Sequence, residues 1–205
     1  NGFGCDNEMW DAFAASLVRD GFDVTIADLP NKALGEIGAT GKVVKQLVDD
    51  VRRRTGVLKV DLVGYSEGGL IARDVIRFQG GLDAIDAVVT LGTPHQGVLT
   101  PKLNGAAARL GSVLPAAARQ MIAGSDYLTR LNAGDPTPGR IKYTSIMGKG
   151  WDGIVWPGSA AVLEGATNIA LPKEGRIPLG TGLHHGQMIQ SSHAAYLATR
   201  AALLA

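Results

Sequence analysis

The chain has 205 residues, 45% of them hydrophobic and 19% charged, with a net charge of +1. That length holds one α/β domain with a sizeable core and is too short for two domains of ordinary size. Lys, Arg, Asp and Glu are mixed along the chain with no basic stripe or acidic tail, which argues against nucleic acid as a partner, and no apolar run reaches the ~20 residues that cross a bilayer.

In chain order, Asn1-Gly2-Phe3-Gly4-Cys5 is a glycine-rich loop. Cys5 is the sole cysteine, so no intrachain disulfide can form. Asp6 or Asn7 can cap a helix running to about Arg19, with Trp10, Phe13, Ala14 and Leu17 on one face and Gly21 ending it. Phe22 to Leu29 reads as a buried strand closed by Pro30. Residues 31–40 read as loop, and Lys42 to Arg54 as a helix with Val43, Val44, Leu47, Val48 and Val51 inward. An apolar run from Leu58 to Val63 stops at Gly64-Tyr65-Ser66-Glu67-Gly68 and restarts as a helix pattern to Phe78. Ala84 to Leu91 is another strand. Strand and helix alternate to this point, which predicts a parallel sheet covered on both faces.

From Gly92 to about Gly139 the alternation breaks. Two short Ala-rich helices, near 104–110 and 116–122, either pack on the sheet or form a cap beside the active site. Arg140 to Met147 is a strand leading into Gly148-Lys149-Gly150-Trp151-Asp152-Gly153. Thr167 to Leu171 is a short strand, and Gln187 to Leu204 a closing helix. No repeat or linker divides the chain, which reads as a single domain over 1–205.

The pentapeptide between strand and helix has the form and context of a nucleophile elbow. A serine on so tight a turn leaves no room for side chains two residues away on either side, hence Gly64 and Gly68. The turn presents the Ser66 hydroxyl, and the amide of Glu67, opening the helix, is free to donate to an oxyanion. A serine hydroxyl needs a histidine to take its proton and a carboxylate to orient that histidine. On an elbow of this kind the acid and then the base follow in chain order. Asp152 satisfies the first requirement: it follows a strand in a glycine-rich loop, whereas Asp83, Asp86, Asp126, Asp135, Glu164 and Glu174 are less well placed. The base must then be His184, His185 or His193. His193 falls within a helix, and position alone does not choose between His184 and His185. His95 precedes the acid and is read as shaping the loop after its strand.

Four stretches taken together resemble the small bacterial lipases and esterases of the α/β-hydrolase superfamily, the lipase class 2 group. These are the elbow Gly64 to Gly69, the loop Leu91-Gly92-Thr93-Pro94-His95-Gln96-Gly97, the stretch from Tyr143 through Asp152 to Pro157, and His185 followed by Met188, Ile189, Ser191 and Ser192. The resemblance selects His185 over His184. It implies the α/β-hydrolase fold: a mostly parallel central sheet, helices on both faces, and a small helical insertion over or beside the site within 98–139. It implies a serine carboxylic-ester hydrolase with Ser66, Asp152 and His185 as triad, the amides of Phe3 and Glu67 as oxyanion hole, and no metal or organic cofactor. It further implies a small ester or lipid as substrate, transient contact with lipid surfaces, and secretion. Asn1 stands where the family has histidine, and a family strand that leads into this loop is expected from residues upstream of Asn1. Trp151, Trp156, Leu183 and the apolar residues around 104–123 favour an apolar acyl chain. Two alternatives share these motifs, an acyltransferase or thioesterase using the same triad and a binding protein on the same fold.

Overall fold

The computed structural model describes residues 2–98, 113–172 and 183–205. Four strands, β1 (Val60–Tyr65), β2 (Ile85–Leu91), β3 (Lys142–Gly148) and β4 (Thr167–Leu171), form one parallel sheet in that order. Val63 lies opposite Val89, Val89 opposite Thr144, and Thr144 opposite Thr167. The two central strands are each buried at every residue but one, on both faces, as a sheet covered on both sides requires.

Helices α1 (Asp11–Arg19), α2 (Ile37–Thr55), α3 (Glu67–Phe78), α4 (Ala116–Gln120), α5 (Asp126–Asn132), α6 (Gln187–Gln190) and α7 (His193–Leu203) complete the described elements, with short 3₁₀ turns at Asn7–Trp10, Pro30–Ala33 and Gly158–Ala161. One face of the sheet, carrying Val63, Tyr65 and Leu91, packs on Phe13 and Leu17 of α1 and Ala195 of α7. The other face packs on Val48 of α2 and Ala72 and Ile76 of α3. α4 and α5 join a cluster with Val44 of α2 and Leu70 and Ile71 of α3 through Ala117, Tyr127, Leu128 and Leu131. Residues 113–139 therefore pack beside α2 and α3, and the helix expected near 104–110 lies outside the described residues.

Four expectations are corrected. Phe22 to Leu29 is extended but belongs to no sheet, because no described strand lies beside it to complete a ladder. α2 starts at Ile37, five residues before the expected Lys42. Its early glycines, which look like loop residues, are helical because α3 lies close: a Cβ on Gly41 would collide with the Asp74 carboxylate. The closing helix is two helices, broken at Ser191-Ser192, where the Ser192 hydroxyl accepts from the Ala195 amide at 3.0 Å and caps α7. Asp6 and Asn7 also do not cap as expected. Asp6 makes no cap hydrogen bond and instead pairs with Lys32 at 2.8 Å.

A buried arginine ties α5 and its following loop to α3. Arg73, 1% exposed, donates to the carbonyls of Leu131 (3.0 Å) and Pro136 (3.4 Å) and to Asn132 Oδ1 (2.8 Å). Burial and the nearby Arg77 pull its pKa down to about 10, so the guanidinium stays charged at neutral pH. Arg73→Leu should therefore lower the unfolding free energy by about 2–4 kcal/mol, because the buried Leu131 carbonyl and the half-buried Asn132 and Pro136 oxygens lose their donor. Urea unfolding at pH 7 measures this, and a loss under ~1 kcal/mol would show that water replaces the guanidinium.

Candidate active site

Ser66 sits between the end of β1 and the start of α3 with φ 54° and ψ −122°. That left-handed backbone is strained for a residue with a Cβ. It is the only way to turn from strand to helix in one residue while facing the hydroxyl away from both. A Cβ on Gly64 would lie 2.5 Å from the Gly68 carbonyl oxygen, so strand and helix touch at a distance only glycine allows. The Ser66 amide donates to the Leu91 carbonyl at 2.8 Å, which fastens the elbow to the end of β2.

Asp152 and His185 come to this point from the far side of the sheet. Asp152 lies four residues past β3 and is 4% exposed. Its Oδ1 accepts from the amides of Ile154 (2.9 Å) and Val155 (2.6 Å), which fixes the carboxylate plane. Its Oδ2 lies 2.8 Å from His185 Nδ1, and His185 Nε2 lies 3.0 Å from Ser66 Oγ. The His185 amide also donates to the Asp152 carbonyl at 2.7 Å, so acid and base loops are joined through backbone as well as side chain. With Nδ1–H held by the carboxylate, Nε2 presents its lone pair to the serine hydroxyl. The Tyr65 ring lies 4.9 Å from the imidazole and walls one side.

The structure thus brings Ser66, His185 and Asp152 into one hydrogen-bonded line. His184 stands apart from it: a Cβ on Gly153 would meet the His184 ring at 2.9 Å, on the other side of the acid loop. His193 opens α7 and stacks on Tyr196 at 6.3 Å. His95 is fully buried, with Nε2 3.0 Å from Thr90 Oγ1 and Nδ1 3.4 Å from Arg73 Nη1. Since arginine can only donate, Nδ1 accepts and Nε2 carries the proton toward Thr90. Burial and then Arg73 push its pKa well down, so it is neutral, and its carbonyl takes the Asn132 side-chain amide at 2.9 Å.

The loop ahead of α1 lies against the elbow. A Cβ on Gly2 would approach Ser66 Cβ and the Tyr65 ring at 3.1 Å. Neither the Phe3 nor the Glu67 backbone N–H donates to a described residue. The Glu67 side chain is fully buried, and both its oxygens lack a partner. Burial pushes its pKa up to about 8, so the carboxyl is mostly protonated at neutral pH. Nothing in the sequence signalled this, because a glutamate opening a helix ordinarily faces water.

The residues expected to favour an acyl chain divide. Leu183 is completely buried in the core beside Met188. Trp151 and Trp156 are 38% and 50% exposed, as is Ile154 at 59%, so the acid loop presents apolar surface to solvent. No helix among the described residues is long and apolar enough to cross a membrane.

The mature form of lipase BlEst2 from Bacillus licheniformis superposes with a TM-score of 0.76 over 98% of this chain and 89% of its own, at 21% identity. That likeness, with the parallel sheet flanked by helices, shows an α/β-hydrolase fold. Triacylglycerol lipases of Pseudarthrobacter phenanthrenivorans and Burkholderia plantarii are each 35% identical over 92 residues, or 44% of this chain. The matched stretch spans 28% and 25% of those relatives' own lengths. The model of the family described as lipase (class 2) matches residues 39–197, from early α2 into α7 and including the elbow, the acid loop and His185, and the chain belongs to that family.

Proposed function

We propose that the chain is a serine carboxylic-ester hydrolase acting on esters with an apolar acyl chain. The observation that carries this reading is the unbroken line from Asp152 Oδ2 through His185 to Ser66 Oγ, at 2.8 and 3.0 Å. In the proposed reaction Ser66 Oγ attacks the acyl carbon while His185 Nε2 takes its proton. The negative charge that develops on the carbonyl oxygen is held by the Phe3 and Glu67 amides, donors of a kind worth ~3–4 kcal/mol each. His185 then protonates the leaving alcohol, and the ester bond to Ser66 forms as the substrate's breaks. Water, deprotonated by His185, attacks the acyl-enzyme, releases the acid and restores Ser66. Asp152 orients His185 and stabilises the imidazolium of each half-reaction.

Two observations support the apolar substrate. The relatives from Pseudarthrobacter and Burkholderia are named triacylglycerol lipases, and Trp151, Ile154 and Trp156 give the acid loop an apolar rim suited to an acyl chain or to transient contact with a lipid surface. A neutral Glu67 fits the same chemistry. An ionised carboxylate one residue from the nucleophile would oppose the charge growing on the oxyanion, and burial removes that charge.

Fluorophosphonate labelling followed by mass spectrometry tests the nucleophile, and turnover of p-nitrophenyl esters tests the reaction. One adduct on Ser66 is expected, with kcat/KM reduced ~10³-fold or more in Ser66→Ala and in His185→Ala. Asp152→Asn should lose activity on a comparable scale, because the wrong histidine tautomer then faces the serine. An adduct elsewhere, or a His185→Ala enzyme of near-normal rate, would sink the assignment.

The raised pKa of Glu67 also sets a pH dependence of stability. Its folded value lies above its unfolded one, 4.5, so its contribution is complete below about pH 4.5 and lost as pH rises through about 8. Glu67→Gln should therefore flatten the fall of the thermal midpoint between pH 6 and 9 while changing little at pH 4. Parallel pH profiles of the two proteins would show Glu67 solvated if the slopes agree.

A further inference from the structure

Glu67 carries a side chain that the proposed mechanism does not use. Its amide is the assigned donor to the oxyanion, yet its carboxyl is completely buried and neither oxygen has a partner. Helix geometry accounts for the surroundings. Leu70 and Ile71 follow three and four residues on, so they share its face of α3. That face packs in the apolar cluster with Phe3, Leu29, Tyr127 and Leu128. Cys5 in the loop ahead of α1, Tyr127 of α5 and the α-amino group of the chain lie near enough to act on the carboxyl electrostatically. Both side chains give their protons elsewhere. Cys5 Sγ donates to the Phe3 carbonyl at 3.5 Å, and the Tyr127 hydroxyl donates to Asp74 Oδ2 at 2.9 Å. No side-chain donor among the described residues reaches Glu67, and a carboxyl buried without donors keeps its proton.

Covalent geometry places that proton close to the reaction. A glutamate carboxyl lies within ~5 Å of its own amide nitrogen, and a hydrogen-bonded oxyanion adds ~3 Å. Carboxyl and oxyanion are therefore within ~8 Å of each other in any rotamer. At that distance and an effective dielectric of ~20, a second negative charge would slow formation of the oxyanion on the order of 10–100-fold. Bulk water does not screen the pair, because the carboxyl has no exposed surface.

On the hydrolase reading above, we propose that the Glu67 side chain gates the oxyanion hole: as a neutral acid it leaves the hole free to hold an anion, and its ionisation closes the hole to one. Burial pushes the Glu67 pKa up to about 8, against a smaller opposite pull from the α-amino group. The acid is thus mostly neutral at pH 7 and mostly ionised at pH 9. Attack by Ser66 should therefore weaken as pH rises through about 8. His185 works with the opposite sign, since it must lose its proton to act as base. Tyr127 stays neutral, its pKa pushed up by burial and then by Asp74. Cys5 is the rival of the same sign, although burial raises its thiol above the ordinary 9.0.

The test is the rate of fluorophosphonate labelling at Ser66 from pH 6 to 10, compared between the wild type, Cys5→Ser and Cys5→Ser/Glu67→Gln. Labelling is irreversible, so it reads attack by the serine without the hydrolytic half-reaction. In Cys5→Ser the second-order rate constant should fall on the order of 10–100-fold, along one titration near pH 8. With Glu67→Gln added it should show no fall over that range, whatever its value at pH 6. Equal profiles with and without Glu67→Gln overturn the proposal, as does a fall that Cys5→Ser alone abolishes. A wild-type measurement covers a Glu67→Gln chain that does not fold. Carbon NMR of glutamate-labelled protein follows its five glutamate carboxyls, and one should titrate near pH 8, far above the ordinary glutamate range. An alkylboronic acid puts a tetrahedral anion on the serine, and by reciprocity it should raise the proton affinity of that carboxyl by the same ~10–100-fold. No glutamate titrating above pH 7, or a titration that the boronic acid leaves in place, overturns the proposal. A chain that neither labels at Ser66 nor binds the boronic acid at any pH defeats the hydrolase reading and this gate with it. Labelling with an unchanged profile defeats the gate alone.

Discussion

Strand β1 meets helix α3 at Gly64 with no room for a Cβ there, and Ser66 at the apex holds a φ of 54° that costs of the order of 1–3 kcal/mol. Everything else in the site is referred to that contact. It sets the hydroxyl above the end of the sheet, where loops after β3 and before α6 can reach it. It also starts α3 directly at Glu67, so the first free amides of the helix point toward the same space. Relaxing the turn would move the Ser66 hydroxyl and the Glu67 amide together. The surroundings hold it firmly: the Ser66 amide is bonded to β2, and α3 is among the most deeply buried helices in the fold.

The acid and base are held by a different principle. Asp152 is nearly inaccessible, yet every acceptor position it needs is used: two amides on Oδ1, the imidazole on Oδ2, and its own carbonyl bonded to the His185 amide. A buried carboxylate survives as a charge only with such compensation. Glu67, buried without any partner, shows the other outcome, since its carboxyl keeps the proton instead. Backbone donors thus reach one of these two buried acids and not the other.

Much of this could be read from the residue order. The glycines of the elbow, the strand before it and the helix after it follow from steric need, and the order of Ser66, Asp152 and His185 fits the direction in which a parallel sheet lays its loops. What escaped reading depended on neighbours distant in sequence. Phe22 to Leu29 has the composition of a strand, but composition does not say whether a partner lies alongside. Gly38 and Gly41 look like loop residues until α3 is placed against them. α5 was missed because its seven residues carry little periodicity, although Ser125 caps it by accepting from the Leu128 amide at 3.2 Å. His184 and His185 are equivalent as sequence, and only the packing of the first on Gly153 and of the second on Asp152 separates them.

The line through the triad joins residues far apart along the chain: His185 to Ser66 across 119 positions, and His185 to Asp152 across 33. Tyr196 and Arg200 of α7 reach back 176 and 180 positions to Asp20, at the end of α1, at 2.5 and 2.6 Å. Parallel pairing and long-range contacts of this kind form slowly, because loop closure is costly before any contact repays it. On a ribosome the elbow would emerge and could fold more than a hundred residues before its base exists. The hydroxyl of Ser66 would then be exposed but unactivated, and reactivity would appear only when the last third of the chain had closed over the sheet. Under the proposed mechanism chemical competence is therefore a late event of folding, and a reagent that reads the serine would also read completion of the fold.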